Sequence, residues 1–201
     1  MTKDGHNSDP CVVQNDRHGF TVYSVFAIAG QAQVSAVSDL RRAMYSRTNN
    51  PPAYVNAPAH VTLKRLFSGI PNIEDIQEVI HGVAESTKPF WIDLAAEPQT
   101  SGFDAEVPVG ITNELSALNY SLEAAITPLA QREYGSDHFR PHMTLFTEAS
   151  VDESLRGMRL LKGLRLGTGF YVESIEMMAR NGPLTGGRWQ SIASFDLDIW
   201  S

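Results

Sequence analysis

Two short segments of this chain carry the same polar residues in the same order. They read H-V-T-L at residues 60–63 and H-M-T-L at residues 142–145, each just past a proline, in a chain with only six histidines. Histidine can both accept and supply a proton near neutral pH, and a threonine hydroxyl can donate a hydrogen bond to an anionic oxygen. The repeated motif therefore indicates general acid–base chemistry at a phosphate.

The spacing within the motif places its polar residues together. Residues i and i+2 of a β-strand face the same side, so His60 shares a face with Thr62, and His142 shares one with Thr144. If two such strands meet, a neutral imidazole can take a proton from water or a ribose hydroxyl, while a protonated imidazole supplies a proton to the leaving oxygen. The threonines would hold the non-bridging oxygens. This chemistry needs no metal or other cofactor, and the sequence leaves open which histidine is the base.

Hydrophobic periodicity predicts the elements that carry the motifs. The order β-α-β-α-β occurs twice, with the motif on the second strand of each unit. This pattern predicts an α+β fold of two pseudo-twofold-related units, with the motif strands side by side along a central groove. One bilobal domain over residues 19–201 is expected, with intertwined lobes at roughly 19–96 and 103–201. The predicted strands are 21–29, 60–67, 90–96, 107–111, 142–146, 170–179 and 189–200, and the predicted helices are 31–45, 73–86, 113–129 and 151–164.

The two motifs within this repeated plan resemble the 2H phosphoesterase superfamily, which includes the bacterial RNA 2′,3′-cyclic phosphodiesterases historically called 2′-5′ RNA ligases. The resemblance implies a bilobal fold with a central groove, His60 and His142 as the catalytic pair, and Thr62 and Thr144 as phosphate binders. It also implies metal-free hydrolysis, with a nucleotide or short RNA bearing a 2′,3′-cyclic phosphate as substrate. Cleavage of 2′-5′-linked or cyclic oligonucleotides, or non-catalytic nucleotide or RNA binding on the same fold, are the alternatives.

Residues beside the motifs are further candidates for the substrate site. By strand alternation, Lys64 should share the face of His60 and Thr62, whereas Arg65 should not. All three basic residues that flank the motifs, Arg140, Lys64 and Arg65, are candidates to carry phosphate charge, with solvated strand ends as the alternative. Phe26 on the first strand is a candidate for stacking on a base, although core packing is the stronger interpretation. Two residues of the last strand are candidates for the lining of the groove, with core and surface positions as the alternatives: Trp189 and Ser191.

Two charged segments have alternative interpretations. The stretch D-H-F-R-P-H at 137–142 suggests a metal site through Asp137, His138 and His142, but this would leave His60 without a role. A basic stripe on the last predicted helix and just past it is either a solvated face or a contact for an RNA backbone. It comprises Arg156, Arg159, Lys162 and Arg165.

Composition limits the partners that this protein can have. Its 201 residues include 42% hydrophobic and 19% charged residues, and the formal net charge is −7. A global negative charge disfavours a long electrostatic track for nucleic acid and favours a local basic site for a small phosphate. The lone Cys11 predicts a cytoplasmic protein, and the absence of a long apolar stretch predicts no membrane contact. The polar residues 1–18 are expected to form a disordered tail, and the protein is expected to be a monomer.

Overall fold

The structure is a computed structural model that describes residues 22–47, 53–101, 104–132, 139–147, 149–180 and 188–198. The tail predicted over residues 1–18 lies outside these ranges. The helices are α1 (Gln31–Met44), α2 (Ile73–Glu85), α3 (Asn113–Ile126) and α4 (Val151–Leu161). The strands are β1 (Val22–Ile28), β2 (His60–Ser68), β3 (Phe90–Asp93), β4 (Gln99–Ser101), β5 (Asp104–Pro108), β6 (Gln131–Arg132), β7 (His142–Phe146), β8 (Gly169–Val172), β9 (Ser174–Arg180) and β10 (Gln190–Asp196).

The strands form one large sheet and one small sheet, and the pairs described are antiparallel. The large sheet has the order β10-β9-β1-β2-β7-β5-β4, with β6 also paired to β2, and the small sheet pairs β3 with β8. The two motif strands, β2 and β7, are neighbours at the centre, and β1 and β5 flank them. Helix α1 packs on α4 as α2 packs on α3, which repeats the same relation between the two halves. The predicted α+β fold with pseudo-twofold-related units is confirmed.

One hydrophobic core lies between the sheet and the helices. The apolar residues of the two motifs, Val61, Leu63, Met143 and Leu145, are all fully buried there. Burial of such side chains is the main favourable contribution to folding, worth roughly 1.5–3 kcal/mol each. Because strand residues alternate between faces, anchoring the apolar residues against the helices leaves the motif's polar residues on the opposite, open face.

Several predicted bounds differ from the observed ones; helix α4, for example, ends at Leu161 rather than at residue 164. The single strand predicted over 170–179 is two strands, because the chain leaves the small sheet after β8 and joins the large sheet as β9. Helix α3 ends at Ile126 rather than at residue 129, since Pro128 cannot continue it. Strand β5 begins three residues earlier than predicted, and it starts beside the unpredicted β4. Within the described residues, no helix is long and apolar enough to cross a membrane.

Candidate active site

The two motif strands pair directly, and their register aligns the polar residues of both motifs. Val61 is paired with Met143 in the antiparallel ladder of β2 and β7. His60 is therefore opposite Thr144, and Thr62 is opposite His142. The two histidines are diagonal neighbours, a relation that separates the residues by about 7–8 Å. All four side chains line one groove.

Each motif strand contains an extra residue at the motif's leucine. Between β1 and β2, Phe26 is paired with Thr62 and the adjacent Val25 with Lys64, so Leu63 is the additional residue. Between β5 and β7, the same shift falls between the pairs Glu106–Thr144 and Ala105–Phe146 and makes Leu145 the additional residue. Such a bulge locally interrupts the ladder and reverses the alternation of side chains beyond it. Beyond each motif, the residues that regular alternation would place in the groove therefore face the core, and their neighbours face the groove.

This exchange corrects the predictions for Lys64 and Arg65. Lys64 lies opposite the core residue Val25, its side chain is buried, and Nζ is 2.5 Å from Oε2 of Glu123 on α3. It does not line the groove, so its predicted place beside His60 and Thr62 was wrong. Arg65 lines the groove instead, and Thr147 does so at the corresponding position after the second motif.

Side chains from the helices satisfy the backbone at both bulges. Arg41 of α1 donates from Nε to the Leu145 carbonyl at 2.9 Å, and Asn119 of α3 donates from Nδ2 to the Leu63 carbonyl at 2.5 Å. Buried carbonyls released from a ladder need such partners, because an unsatisfied one costs about 1–3 kcal/mol. The two helices therefore fix the strand geometry that aims the motif's polar residues.

The two histidine rings are anchored in the same way. Nδ1 of His60 lies 2.7 Å from the Pro58 carbonyl, and Nδ1 of His142 lies 3.0 Å from the Arg140 carbonyl. A carbonyl oxygen only accepts hydrogen bonds, so Nδ1 is the donor and carries a proton in each ring. This leaves Nε2 of each ring to exchange a proton within the groove.

The surroundings of His60 favour its neutral form. Its ring stacks on Phe26 with centroids 3.6 Å apart and an interplanar angle of 12°. The pKa of His60 is lowered from 6.5 to about 4, mainly by burial, with smaller lowering effects of Arg41 and His142 and an opposing effect of the hydrogen bond to the Pro58 carbonyl. At neutral pH, Nε2 of His60 is therefore an unprotonated proton acceptor.

The structure also corrects the base-stacking prediction for Phe26. This side chain is only 2% exposed, and one face of its ring is covered by His60. It is not part of the helix-side core, so it packs on the groove side as a support for His60. The groove-lining aromatic residues with accessible surface are Phe139 and Trp189; Ser191 does not line the groove.

His142 faces a carboxylate that the sequence interpretation missed. Nε2 of His142 is 3.6 Å from Oε2 of Glu106 on β5, an ion pair when the ring is protonated. The other oxygen of Glu106 accepts a hydrogen bond of 2.6 Å from Arg140, whose side chain remains largely exposed at the groove. The two histidines thus have similar anchors but opposite surroundings, one apolar and one acidic.

The groove has the size of a small-ligand site. Its volume is about 400 Å³, within the range of roughly 300–1,000 Å³ that is usual for such sites. The ring centroids of Trp189 and Phe26 are 5.3 Å apart, and the Arg180 guanidinium lies 5.0 Å from the centre of the Trp189 ring. Two residues of the metal site suggested by the sequence, Asp137 and His138, lie outside the described residues.

Adjacent motif strands with two groove-facing histidines and two threonines define the class of 2H phosphoesterases. The family model of the 2′-5′ RNA ligase superfamily matches residues 29–183, and the chain belongs to that family. The resemblance noted from the two motifs is thereby confirmed. No curated protein shows a significant match to the chain.

Solved structures share the fold at low sequence identity. TT0787 of Thermus thermophilus is 14% identical, with a TM-score of 0.60 over 88% of this chain and 97% of that chain. E. coli LigT complexed with phosphate is 11% identical, with a TM-score of 0.56 over 88% and 96% of the respective chains. The complex of E. coli LigT with 3′-AMP gives 13% identity and a TM-score of 0.52 over 88% and 97%. At such identities the likeness establishes the fold.

Proposed function

We propose that this protein is a metal-independent phosphodiesterase that hydrolyses 2′,3′-cyclic phosphates on nucleotides or short RNA ends. The observation that carries this proposal is the diagonal pair of Nδ1-anchored histidines on adjacent strands of one groove. Membership of the 2′-5′ RNA ligase superfamily supports a phosphoryl-transfer enzyme. Two of the ligands named for E. coli LigT, 3′-AMP and phosphate, are chemically close to the proposed product and reacting group.

The opposite surroundings of the two histidines support opposite roles for them in this reaction. Nε2 of His60 accepts a proton from water as the water oxygen bonds to phosphorus. The bond from phosphorus to one ribose oxygen breaks, and Nε2 of His142 supplies the proton to that oxygen. Thr62 and Thr144 donate hydrogen bonds to the non-bridging oxygens, whose negative charge increases in the transition state. Both proton transfers are made by side chains, so the reaction requires no metal.

The rest of the groove supplies recognition. Arg65 lies near the first motif and can hold phosphate charge in the position once expected for Lys64. Trp189 offers an aromatic surface for the base, and stacking of this kind contributes about 1–3 kcal/mol. These contacts bind the nucleoside while the histidine pair acts on its phosphate.

The test is hydrolysis of the four nucleoside 2′,3′-cyclic monophosphates with and without excess EDTA. We expect turnover of at least one of them at a rate that EDTA leaves unchanged within twofold. A 3′,5′-cyclic monophosphate and a 2′-5′-linked dinucleotide serve as comparison substrates, and chromatography of the product identifies the leaving oxygen. Turnover that EDTA abolishes, or cleavage of only the comparison substrates, would contradict the proposal.

A matched pair of substitutions tests the exchange of faces after the first motif. Lys64→Ala should lower the free energy of unfolding by about 1–2 kcal/mol, because it removes the buried partner of Glu123, itself partly exposed. It should change kcat/KM less than threefold. Arg65→Ala should leave stability nearly unchanged and lower kcat/KM by about tenfold, because it removes a cation from the groove. Urea unfolding and steady-state kinetics measure both, and the reverse pattern would restore Lys64 to the site.

A further inference from the structure

Outside the groove, three arginines surround a second concavity. It has a volume of about 440 Å³ and lies between the residues that follow α1 and the outer face of α4. We call it the arginine pocket, and its lining residues are Ser46, Arg47, Asp152, Arg156 and Arg159. Three cations and one carboxylate give this surface a local positive charge in a chain whose net charge is −7. Two of its arginines belong to the basic stripe noted in the sequence.

Ion pairing within the fold does not account for these arginines. Arg156 donates to the Met44 carbonyl at the end of α1, and Arg159 donates to the Leu155 carbonyl of its own helix. Among the described residues, no carboxylate lies within ion-pair distance of Arg47, Arg156 or Arg159, whereas Arg42 nearby is paired with Asp39. Guanidinium groups gathered around one cavity repel one another, and a bound anion would relieve that repulsion.

Two short segments connect the arginine pocket to the groove. Arg41 of α1 lines the groove, and Arg47, three residues past the end of that helix, lines the pocket. Thr147 also lines the groove, and α4 begins four residues later with Val151. Six residues span at most about 20 Å even when the chain is fully extended, which limits the distance between the backbone positions of Arg41 and Arg47. One short RNA strand can therefore reach from the groove to the arginine pocket.

We propose that the arginine pocket binds a backbone phosphate of an RNA strand whose cyclic phosphate end occupies the groove. This inference rests on the proposed function and adds to it a second binding site, for the RNA strand that leads to the reacting end. Planar guanidinium groups match the geometry of phosphate oxygens and donate two hydrogen bonds at once. Because the net charge of the chain is −7, we expect this contact to be confined to a few nucleotides.

The experiment compares a nucleoside 2′,3′-cyclic monophosphate with a six-nucleotide RNA that ends in the same cyclic phosphate. For the wild type at low salt, we expect kcat/KM on the hexamer to exceed that on the mononucleotide about tenfold. Arg47→Glu and Arg159→Glu should each remove most of this advantage and leave mononucleotide turnover unchanged within twofold. On the hexamer, log kcat/KM falls as the log of the salt concentration rises, and each variant should make this slope less steep by about 0.7.

Lys88→Glu is the matched control, because it makes the same charge change at an exposed residue away from the pocket. An advantage of the hexamer that persists in both arginine variants would overturn the inference, as would a wild type with no advantage. If the wild type hydrolyses neither substrate, the proposed function fails and binding decides the inference. Anisotropy of a labelled hexamer with a 3′-phosphate should then show weaker binding by Arg47→Glu and Arg159→Glu alone, and equal binding by all variants would overturn it.

Discussion

His60→Ala and His142→Ala should each lower kcat/KM for 2′,3′-cyclic nucleotides by about 10²- to 10⁴-fold, the usual contribution of a general acid or base. The effects should not add in the double variant, because each transfer depends on the other within one displacement. His81→Ala is the control, since His81 is an exposed histidine of α2 paired with Glu85. Circular dichroism and urea unfolding should show that all variants are folded. Full activity in either motif variant would contradict the site.

The pH dependence of the wild type should identify which histidine is the base. The pKa of His60 is lowered to about 4, so its neutral form dominates at every pH above that value. A base with the ordinary pKa of 6.5 would lose roughly sixteenfold in its neutral fraction between pH 6.5 and pH 5. We expect the acid limb of kcat/KM to lie below pH 5 instead, because kcat/KM reports the ionisations of the free enzyme. An acid limb near pH 6.5 would instead mean that the base is a group whose pKa its surroundings do not lower.

A substitution beneath the ring provides a further check on that assignment. Phe26→Ala removes the aromatic face that covers His60 and should let water reach the imidazole. Because burial is the largest cause of the lowered pKa, the acid limb should move upward toward pH 6.5. The unchanged Nδ1 anchor on the Pro58 carbonyl should keep the ring in place. An acid limb that does not move would show that burial of His60 does not set the pH dependence.

The motif and the α+β plan were predictable because both are written in local residue order. Alternation of apolar and polar residues revealed the motif faces, and helical periodicity located all four helices. The bulges were not predicted. Leu145, the last residue of the second motif, and Phe146 after it are nevertheless two buried apolar residues in succession, which a regular half-buried strand does not have. In the first motif the corresponding residue is Lys64, whose charge suggested the opposite face.

Residues that depend on tertiary pairing were beyond the sequence interpretation. Glu106 reaches His142 only because β5 is the neighbour of β7, and nothing within D-A-E-V-P specifies that neighbour. Arg41 and Arg42 are adjacent in the sequence of α1, yet Arg41 is fully buried while Arg42 is exposed. This difference in burial follows from the way α1 packs on the motif strand. Helical periodicity alone predicts the orientation of that packing only approximately.

Arg41→Met should be among the most destabilising single substitutions in this protein. The guanidinium donates to the carbonyls of Ala57 at 2.6 Å, Thr144 at 2.8 Å and Leu145 at 2.9 Å, and it thereby joins α1 to the second motif strand and to the segment before the first. Methionine fills a similar volume but leaves these carbonyls without those donors, at about 1–3 kcal/mol for each buried group. We expect a loss of about 3–5 kcal/mol in the free energy of unfolding, measured by urea denaturation.

The adjacent Arg42→Met provides the comparison, since Arg42 is exposed and paired only with Asp39 in the same turn among the described residues. Its effect should stay within about 0.5 kcal/mol. Arg41→Lys should recover only part of the loss, because one ammonium group cannot reach three carbonyls in the fork geometry of a guanidinium. If Arg41→Met and Arg42→Met were equally stable, the helix-to-strand contacts would not be what holds the second bulge. Retained stability with lost activity would instead show that Arg41 acts mainly through its charge beside His60.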